Sequence, residues 1–241
     1  LTKESINPKN NKVKIVSRFG VGYDSVDLDV LKKNNIVLTN TPNAVRRPVA
    51  VASLTMILSL SGKLMIKDNL VRKGLWNERT NHMGVGLINK TLGIVGFGGI
   101  GREFVKISKG LFKNIICYDP FVGKEEMKNL QVDKVDFDEI ANSSDFLVIL
   151  CDLNEKTRGM IDSTFLNKMK SSSYLINLSR GPVVNENDLI VSLKQNKISG
   201  AGLDVMTNEP IEENNELLNL KNTILTPHSL CWTDECFDSI A

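Results

Sequence analysis

Six residues, Gly96-Phe97-Gly98-Gly99-Ile100-Gly101, follow the apolar run 91–95 and lead into Arg102-Glu103-Phe104-Val105, so the spacing G-x-G-x-x-G falls between an expected strand and an expected helix. Few arrangements tolerate that pattern. The first glycine permits the tight strand-to-helix turn, the second lets a diphosphate approach the backbone, and the third lets the helix pack closely on the strand. The start of such a helix offers unpaired N–H groups and the positive end of its dipole, which hold an anion without a lysine. Asp119 closes the next apolar segment, Ile115-Ile116-Cys117-Tyr118, at the offset of about twenty residues where a carboxylate accepts hydrogen bonds from an adenosine ribose. Fingerprint and acid together predict a dinucleotide site, and the acid favours NAD over NADP because it would repel a 2′-phosphate.

The rest of the chain repeats one rhythm. Short β-rich apolar runs at 13–17, 36–38, 92–95, 115–118, 146–150, 174–178, 203–205 and 223–225 alternate with helical patterns, as in βαβ units. The expectation is an α/β fold with a Rossmann-type, doubly wound parallel sheet. Residues 48–72 read as one long helix buried nearly all round, because Val49, Val51, Leu54, Met56, Ile57, Leu58, Leu60 and Leu64 cover most of its faces. Such a helix suits a domain bridge and a subunit interface, so a homodimer is expected. Asn40-Thr41-Pro42-Asn43 is expected as a hinge, and residues 77–89, with Gly84 and Gly86, as a loop leading to the dinucleotide strand.

Charge excludes several partner classes. With 30 basic and 28 acidic residues the net charge is +2, too balanced for nucleic acid or a membrane surface. No apolar run reaches the length of about eighteen residues that spans a bilayer. The four cysteines, Cys117, Cys151, Cys231 and Cys236, show no C-x-x-C pairing, which fits a reducing, cytoplasmic setting, and no metal is expected.

Reduction of a carbonyl needs a proton donor that titrates near neutrality, and the chain offers two histidines. His82 lies in a loop with no acid or base beside it and reads as structural. His228 follows Thr226-Pro227 at the end of the run 223–225, at the carboxyl edge of the expected sheet, where α/β ligands bind. Arg180 emerges where the run 174–178 ends, in Asn177-Leu178-Ser179-Arg180-Gly181-Pro182; its planar fork either grips a substrate carboxylate or pairs with a carboxylate of the protein. Gly202-Leu203-Asp204-Val205 ends another run, and Glu209-Pro210 follows. Glu209 could fix the tautomer of His228 by hydrogen bonding, or could be a solvated turn residue.

These motifs, in this order, resemble the D-isomer-specific 2-hydroxyacid dehydrogenases, nearest their phosphoglycerate dehydrogenase-like branch. The likeness also takes in Arg18-Phe19-Gly20-Val21-Gly22-Tyr23-Asp24 and Asn40-Thr41-Pro42-Asn43. It implies a nucleotide domain at 47–228 inserted in a discontinuous, flavodoxin-like α/β substrate domain represented by 1–46 and 229–241, a domain that in the family starts before Leu1 and ends after Ala241. It implies an Arg180, Glu209 and His228 triad acting on a 2-hydroxy or 2-keto acid, with 3-phosphoglycerate, hydroxypyruvate and glyoxylate as candidates. Asp204 would hold the nicotinamide side of NAD. Backbone N–H groups at Val21 and Gly22 would meet the substrate carboxylate. Pro120, Cys151, Thr157, Leu178, Ser179 and Ser229 would line the cofactor with Gly96, Phe97, Gly98, Gly99, Ile100, Gly101 and Asp119.

Three features depart from the pattern or sit outside it. Val51 stands where relatives often carry a glutamate, and Trp232 follows His228 where small residues are usual, either shaping the pocket or packing. Arg46-Arg47 is the compact basic pair near the hinge and could serve a phosphorylated substrate or a neighbouring subunit. The resemblance also extends to NAD(H)-sensing corepressors, which leaves a partner-binding module as the alternative to an enzyme.

Overall fold

A computed structural model describes Ser5 and residues 12–241; residues 1–4 and 6–11 of the expected first segment lie outside the described residues. Every strand pairing among them is parallel, as the alternation of strand and helix requires, because parallel neighbours are joined through a crossover. β1 (Ile15–Arg18) and β2 (Val37–Asn40) flank α1 (Leu28–Lys33) and form a sheet of their own. Then come α2 (Arg46–Ser61), α3 (Leu64–Arg72), β3 (Thr91–Val95), α4 (Gly99–Ser108), β4 (Asn114–Tyr118), α5 (Lys124–Lys128), β5 (Asp133–Lys134), α6 (Phe137–Ser143) and β6 (Phe146–Ile149). The chain continues through α7 (Ser163–Lys168), β7 (Tyr174–Asn177), α8 (Glu186–Lys194), β8 (Gly200–Leu203), β9 (Thr223–Leu225) and α9 (Asp234–Ile240).

The larger sheet has the order β5-β4-β3-β6-β7-β8-β9, so its direction of growth reverses beside β3. That reversal opens a crevice at the carboxyl ends of the strands. β6 and β7 are buried at every position, as strands covered on both faces must be. One apolar core joins α2 and α4 to the sheet through Met56, Ile57, Phe97 and Phe104; the other joins α6, α7 and α8 through Ile140, Phe165 and Leu189.

Several expectations are corrected. The segment 48–72 is not one helix: α2 and α3 meet at a bend of 58°, with Lys63 left-handed at φ 52°. The Ser61 carbonyl accepts from Val85 N–H at 2.8 Å, and Gly84 packs against it, so the loop before β3 takes the acceptor that a continuing helix would use. Nor is the segment buried all round, since Val51, Leu58 and Leu64 are 45%, 48% and 56% exposed. The strand expected at 203–205 lies at Gly200–Leu203, hidden in the sequence by the low β-propensity of Gly-Ala-Gly. Gly202 is there because α2 lies so close that a Cβ would overlap Met56. The edge strand β5 was not foreshadowed by any apolar run, and Trp76–His82, expected mostly as loop, is a 3₁₀ helix. No single helix among the described residues is long and apolar enough to cross a membrane.

Candidate active site

Because the strands of the large sheet run one way, their carboxyl ends share an edge, and the predicted residues follow those ends in turn. Gly96 to Gly101 follow β3, Asp119 and Pro120 follow β4, and Cys151 follows β6. Leu178, Ser179 and Arg180 follow β7, Asp204 follows β8, and His228 and Ser229 follow β9. Val21 and Gly22 come from the other sheet, on the loop after β1.

The glycine loop divides its labour as the motif requires. Gly96 is left-handed at φ 101°, and a Cβ on it would lie 2.7 Å from the Cys151 amide nitrogen. A Cβ on Gly101 would run into the Gly96 carbonyl, so its absence sets how closely α4 sits on β3. A Cβ on Gly98 would meet nothing within 4 Å. That open side, beside first-turn amides of α4 that receive no side-chain cap, fits the diphosphate of a dinucleotide. Asp119 ties the loop to the next strand: its Oδ2 accepts from Phe97 N–H at 2.7 Å, and its Oδ1 from Phe121 and Val122 N–H at 2.8 and 3.2 Å. Phe97 is fully buried and Ile100 packs at the margin of the same core, so these two anchor the loop from beneath. Burial, with a contribution from Asp152, pushes the Cys151 thiol up to about 12. Thr157 closes its own turn by donating to the Asp152 carbonyl at 2.7 Å.

Arg180 is fixed by neighbours to which the sequence assigned no role. Buried Asn177 accepts from Ser179 N–H (3.0 Å) and Oγ–H (2.9 Å) and donates to the Arg180 carbonyl (2.9 Å), which sets the turn. The Arg180 guanidinium donates through Nε to Asp24 Oδ1 at 2.8 Å and through Nη1 to the Ser179 carbonyl at 2.7 Å. Its Nη2 lies where a Cβ on Gly22 would be, so position 22 must lack one. Of the two readings of Arg180, pairing with a protein carboxylate is thus realised, while the Nη edge remains turned to the loop that carries Val21 and Gly22. Arg18 Nε and Asn40 Nδ2 hold that loop by donating to the Gly22 and Val21 carbonyls, each at 2.9 Å.

His228 and Glu209 meet: His228 Nδ1 and Glu209 Oε2 are 2.7 Å apart, and Glu209 Oε1 accepts from Met206 N–H at 3.0 Å. His228 is left-handed at φ 52°, a strained backbone for a residue with a Cβ, and strain of that kind gathers at functional sites. Asp204, 3% exposed, holds the turn in that shape. Its Oδ1 accepts from Thr226 Oγ–H at 2.6 Å, Ser229 N–H at 3.1 Å and Leu230 N–H at 3.2 Å. Trp232 packs edge-on against Phe237 with centroids 5.5 Å apart, and Phe237 against Phe19 at 5.2 Å, so α9 meets the loop after β1 through aromatic rings. His82 ends the 3₁₀ helix, away from these turns in the chain.

Fold and loop define a dinucleotide-binding α/β protein. The profile of the D-isomer specific 2-hydroxyacid dehydrogenase NAD binding domain matches residues 54–229, and the chain belongs to that family of NAD-dependent oxidoreductases. A glyoxylate reductase of Thermococcus litoralis is 38% identical over 236 residues, covering 95% of this chain and 71% of that protein. A D-3-phosphoglycerate dehydrogenase of Archaeoglobus fulgidus is 36% identical over 223 residues, 92% of this chain but 42% of the relative's length. In structure, the D-lactate dehydrogenase of Aquifex aeolicus complexed with NAD and lactic acid superposes with a TM-score of 0.91 at 30% identity, covering 100% of this chain and 76% of that one.

Proposed function

We propose that the protein reduces a small, unphosphorylated 2-keto acid of the glyoxylate and hydroxypyruvate class to the D-2-hydroxyacid, with Arg180, Glu209 and His228 as catalytic residues. The observation that carries this reading is the 2.7 Å contact of Glu209 with His228 at the edge where Arg180 also emerges. An enzyme is favoured over an NAD(H)-sensing, corepressor-like module by the relatives, which are named reductases and dehydrogenases.

NADH, when bound, supplies the hydride. Arg180 turns its Nη edge to the substrate carboxylate and the keto oxygen, where the guanidinium stabilises the charge that develops on that oxygen. Backbone N–H groups at Val21 and Gly22 share the carboxylate. Glu209 engages Nδ1 of His228, so Nε2 is the atom that passes a proton to the keto oxygen, or takes one from the hydroxyl in reverse. Asp204 serves first as the clamp on the His228 turn. Pro120, Cys151, Thr157, Leu178, Ser179 and Ser229 line the cofactor with the glycine loop and Asp119.

Charge supports the unphosphorylated class. Carboxylates of Asp24 and Glu209 flank Arg180 and His228, and Arg47, which a substrate phosphate could have used, is paired with Glu103 at 2.9 Å. The 38% identical glyoxylate reductase points the same way. The test is NADH oxidation with glyoxylate, hydroxypyruvate, pyruvate and 3-phosphohydroxypyruvate. The highest kcat/KM should fall on one of the first two, and a preference for 3-phosphohydroxypyruvate would refute the assignment.

Val51 and Leu58, seven positions apart on one face of α2, stay exposed, as do Trp76, Met83 and Ile88. We read this apolar surface as the interface of a cytoplasmic homodimer, with domain limits at 1–46, 47–228 and 229–241. A monomer in light scattering at micromolar concentration would contradict it.

A further inference from the structure

Gly99 occupies a free position of G-x-G-x-x-G, where the motif demands no glycine. A Cβ placed on it would meet Arg46 Nε, Cζ and Cδ, so the Arg46 side chain lies over the first residue of α4. Its neighbour Arg47 pairs with Glu103, which Lys106 also contacts at 3.1 Å, and this pins the start of α2 on α4. Arg46 is exposed, and among the described residues its guanidinium has no carboxylate partner.

An unpaired cation at this place is electrostatically odd. The start of a helix carries a partial positive charge of roughly half a unit, and a guanidinium against it is repelled. An anion between the two reverses the sign of both interactions. The open side of Gly98 leaves room for an anion at the same turn, and the missing side chain at 99 leaves room for the guanidinium. From this we infer that Arg46 is a cofactor-binding residue: it donates to the diphosphate of NAD from α2, outside the strand–loop–helix unit, and adds a charge-assisted contact to the backbone amides. The inference rests on the cofactor's diphosphate lying at α4, and it withdraws Arg46 from any role in holding a substrate phosphate.

Calorimetric titration of the full chain, without substrate, separates these ideas. ADP-ribose carries the diphosphate and no nicotinamide; adenosine carries neither. Arg46→Ala should weaken ADP-ribose and NADH about tenfold, the scale of one exposed charge-assisted hydrogen bond, and leave adenosine within about twofold. Arg46→Lys, which keeps the charge and the fold, should recover part of the loss, and raising the salt should shrink the difference between wild type and Arg46→Ala. Unchanged ADP-ribose affinity in Arg46→Ala, or an equal loss for adenosine, would overturn the inference. Failure of the wild-type chain to bind ADP-ribose would refute the cofactor site itself, and the inference with it.

Discussion

Arg180 and Asp24 stand 156 positions apart in sequence and are joined by a 2.8 Å hydrogen bond from Nε to Oδ1. The pair links the loop after β1 to the turn after β7, and it explains Gly22, whose missing Cβ is the space that the guanidinium fills. With Nε committed to Asp24 and one Nη1 proton to Ser179, the plane of the guanidinium is set before a substrate arrives.

Removing that restraint should be felt by the substrate and not by the cofactor. Asp24→Ala is expected to raise KM for the keto acid and lower kcat/KM about tenfold, the cost of about one well-made charged contact. NADH affinity should hold within about twofold. Partial burial pushes the Asp24 carboxyl up, but the hydrogen bond and charge of Arg180, with Arg18 adding to them, outweigh it and carry the group below the ordinary carboxylate range. A depressed folded-state value contributes stability above the unfolded value of about 3.9, and that contribution is lost as pH falls through the folded value. Urea unfolding should therefore show wild type more stable than Asp24→Asn at pH 7, with the gap narrowing below about pH 4. A gap that widens on acidification would contradict the pairing.

Two glycines of one loop should fail in different ways. Gly101→Val drives a side chain into the Gly96 carbonyl and should cost about 1–3 kcal/mol of stability through overpacking. Gly98→Ala adds a Cβ that meets nothing in the protein within 4 Å, so its melting temperature should match wild type while NADH affinity falls about tenfold, because the methyl group takes space of the diphosphate. Thermal melts and NADH titrations of both variants check this, and the same defect in both would be the adverse result.

Asp204→Ala strips one buried acceptor from a hydroxyl and two amides of a half-buried turn. The expected loss is about 1–3 kcal/mol in stability, because the donors lose their partner but are only half-buried and regain some of it from water. Thr226→Val, which removes one of those hydrogen bonds, should lose about 1 kcal/mol. Both should lower kcat by loosening the turn that carries His228. Chemical denaturation and steady-state rates measure the two effects, and an unaltered stability in Asp204→Ala would show that the turn does not depend on it.

What the sequence made legible was whatever leaves a local trace. Gly96 to Gly101, Asp119 and the β3 and β4 runs are read within some thirty residues, because turn chemistry and apolar periodicity are local. β8 was displaced because Gly202 answers to Met56 on a distant helix and Gly200 to the Asn222 carbonyl, and neither to strand propensity. The break between α2 and α3 came from Val85 capturing the Ser61 carbonyl, a contact across the loop before β3. Asp24 lay inside a quoted motif without a role, since its partner is on another sheet. Asn177 acts within its own turn and Thr226 across to Asp204 at the end of β8, and no spacing rule marks either. Arg46 looked like half of a basic pair; the bare Cα of Gly99 beneath it and the Glu103 partner of Arg47 tell the two apart.

The proton transfer proposed for His228 is tested by measuring single-turnover reduction of glyoxylate in the NADH complex of His228→Ala beside NADH affinity for the same variant. General acid catalysis is worth about 10²–10⁴ in rate, so hydride transfer should slow by that factor while the NADH dissociation constant stays within about twofold. Glu209→Gln, which keeps the contact at Nδ1 without its charge, should fall between the two. A His228→Ala enzyme that turns over glyoxylate at the wild-type rate would contradict the assignment of the proton to His228 and, with it, the active site proposed for this chain.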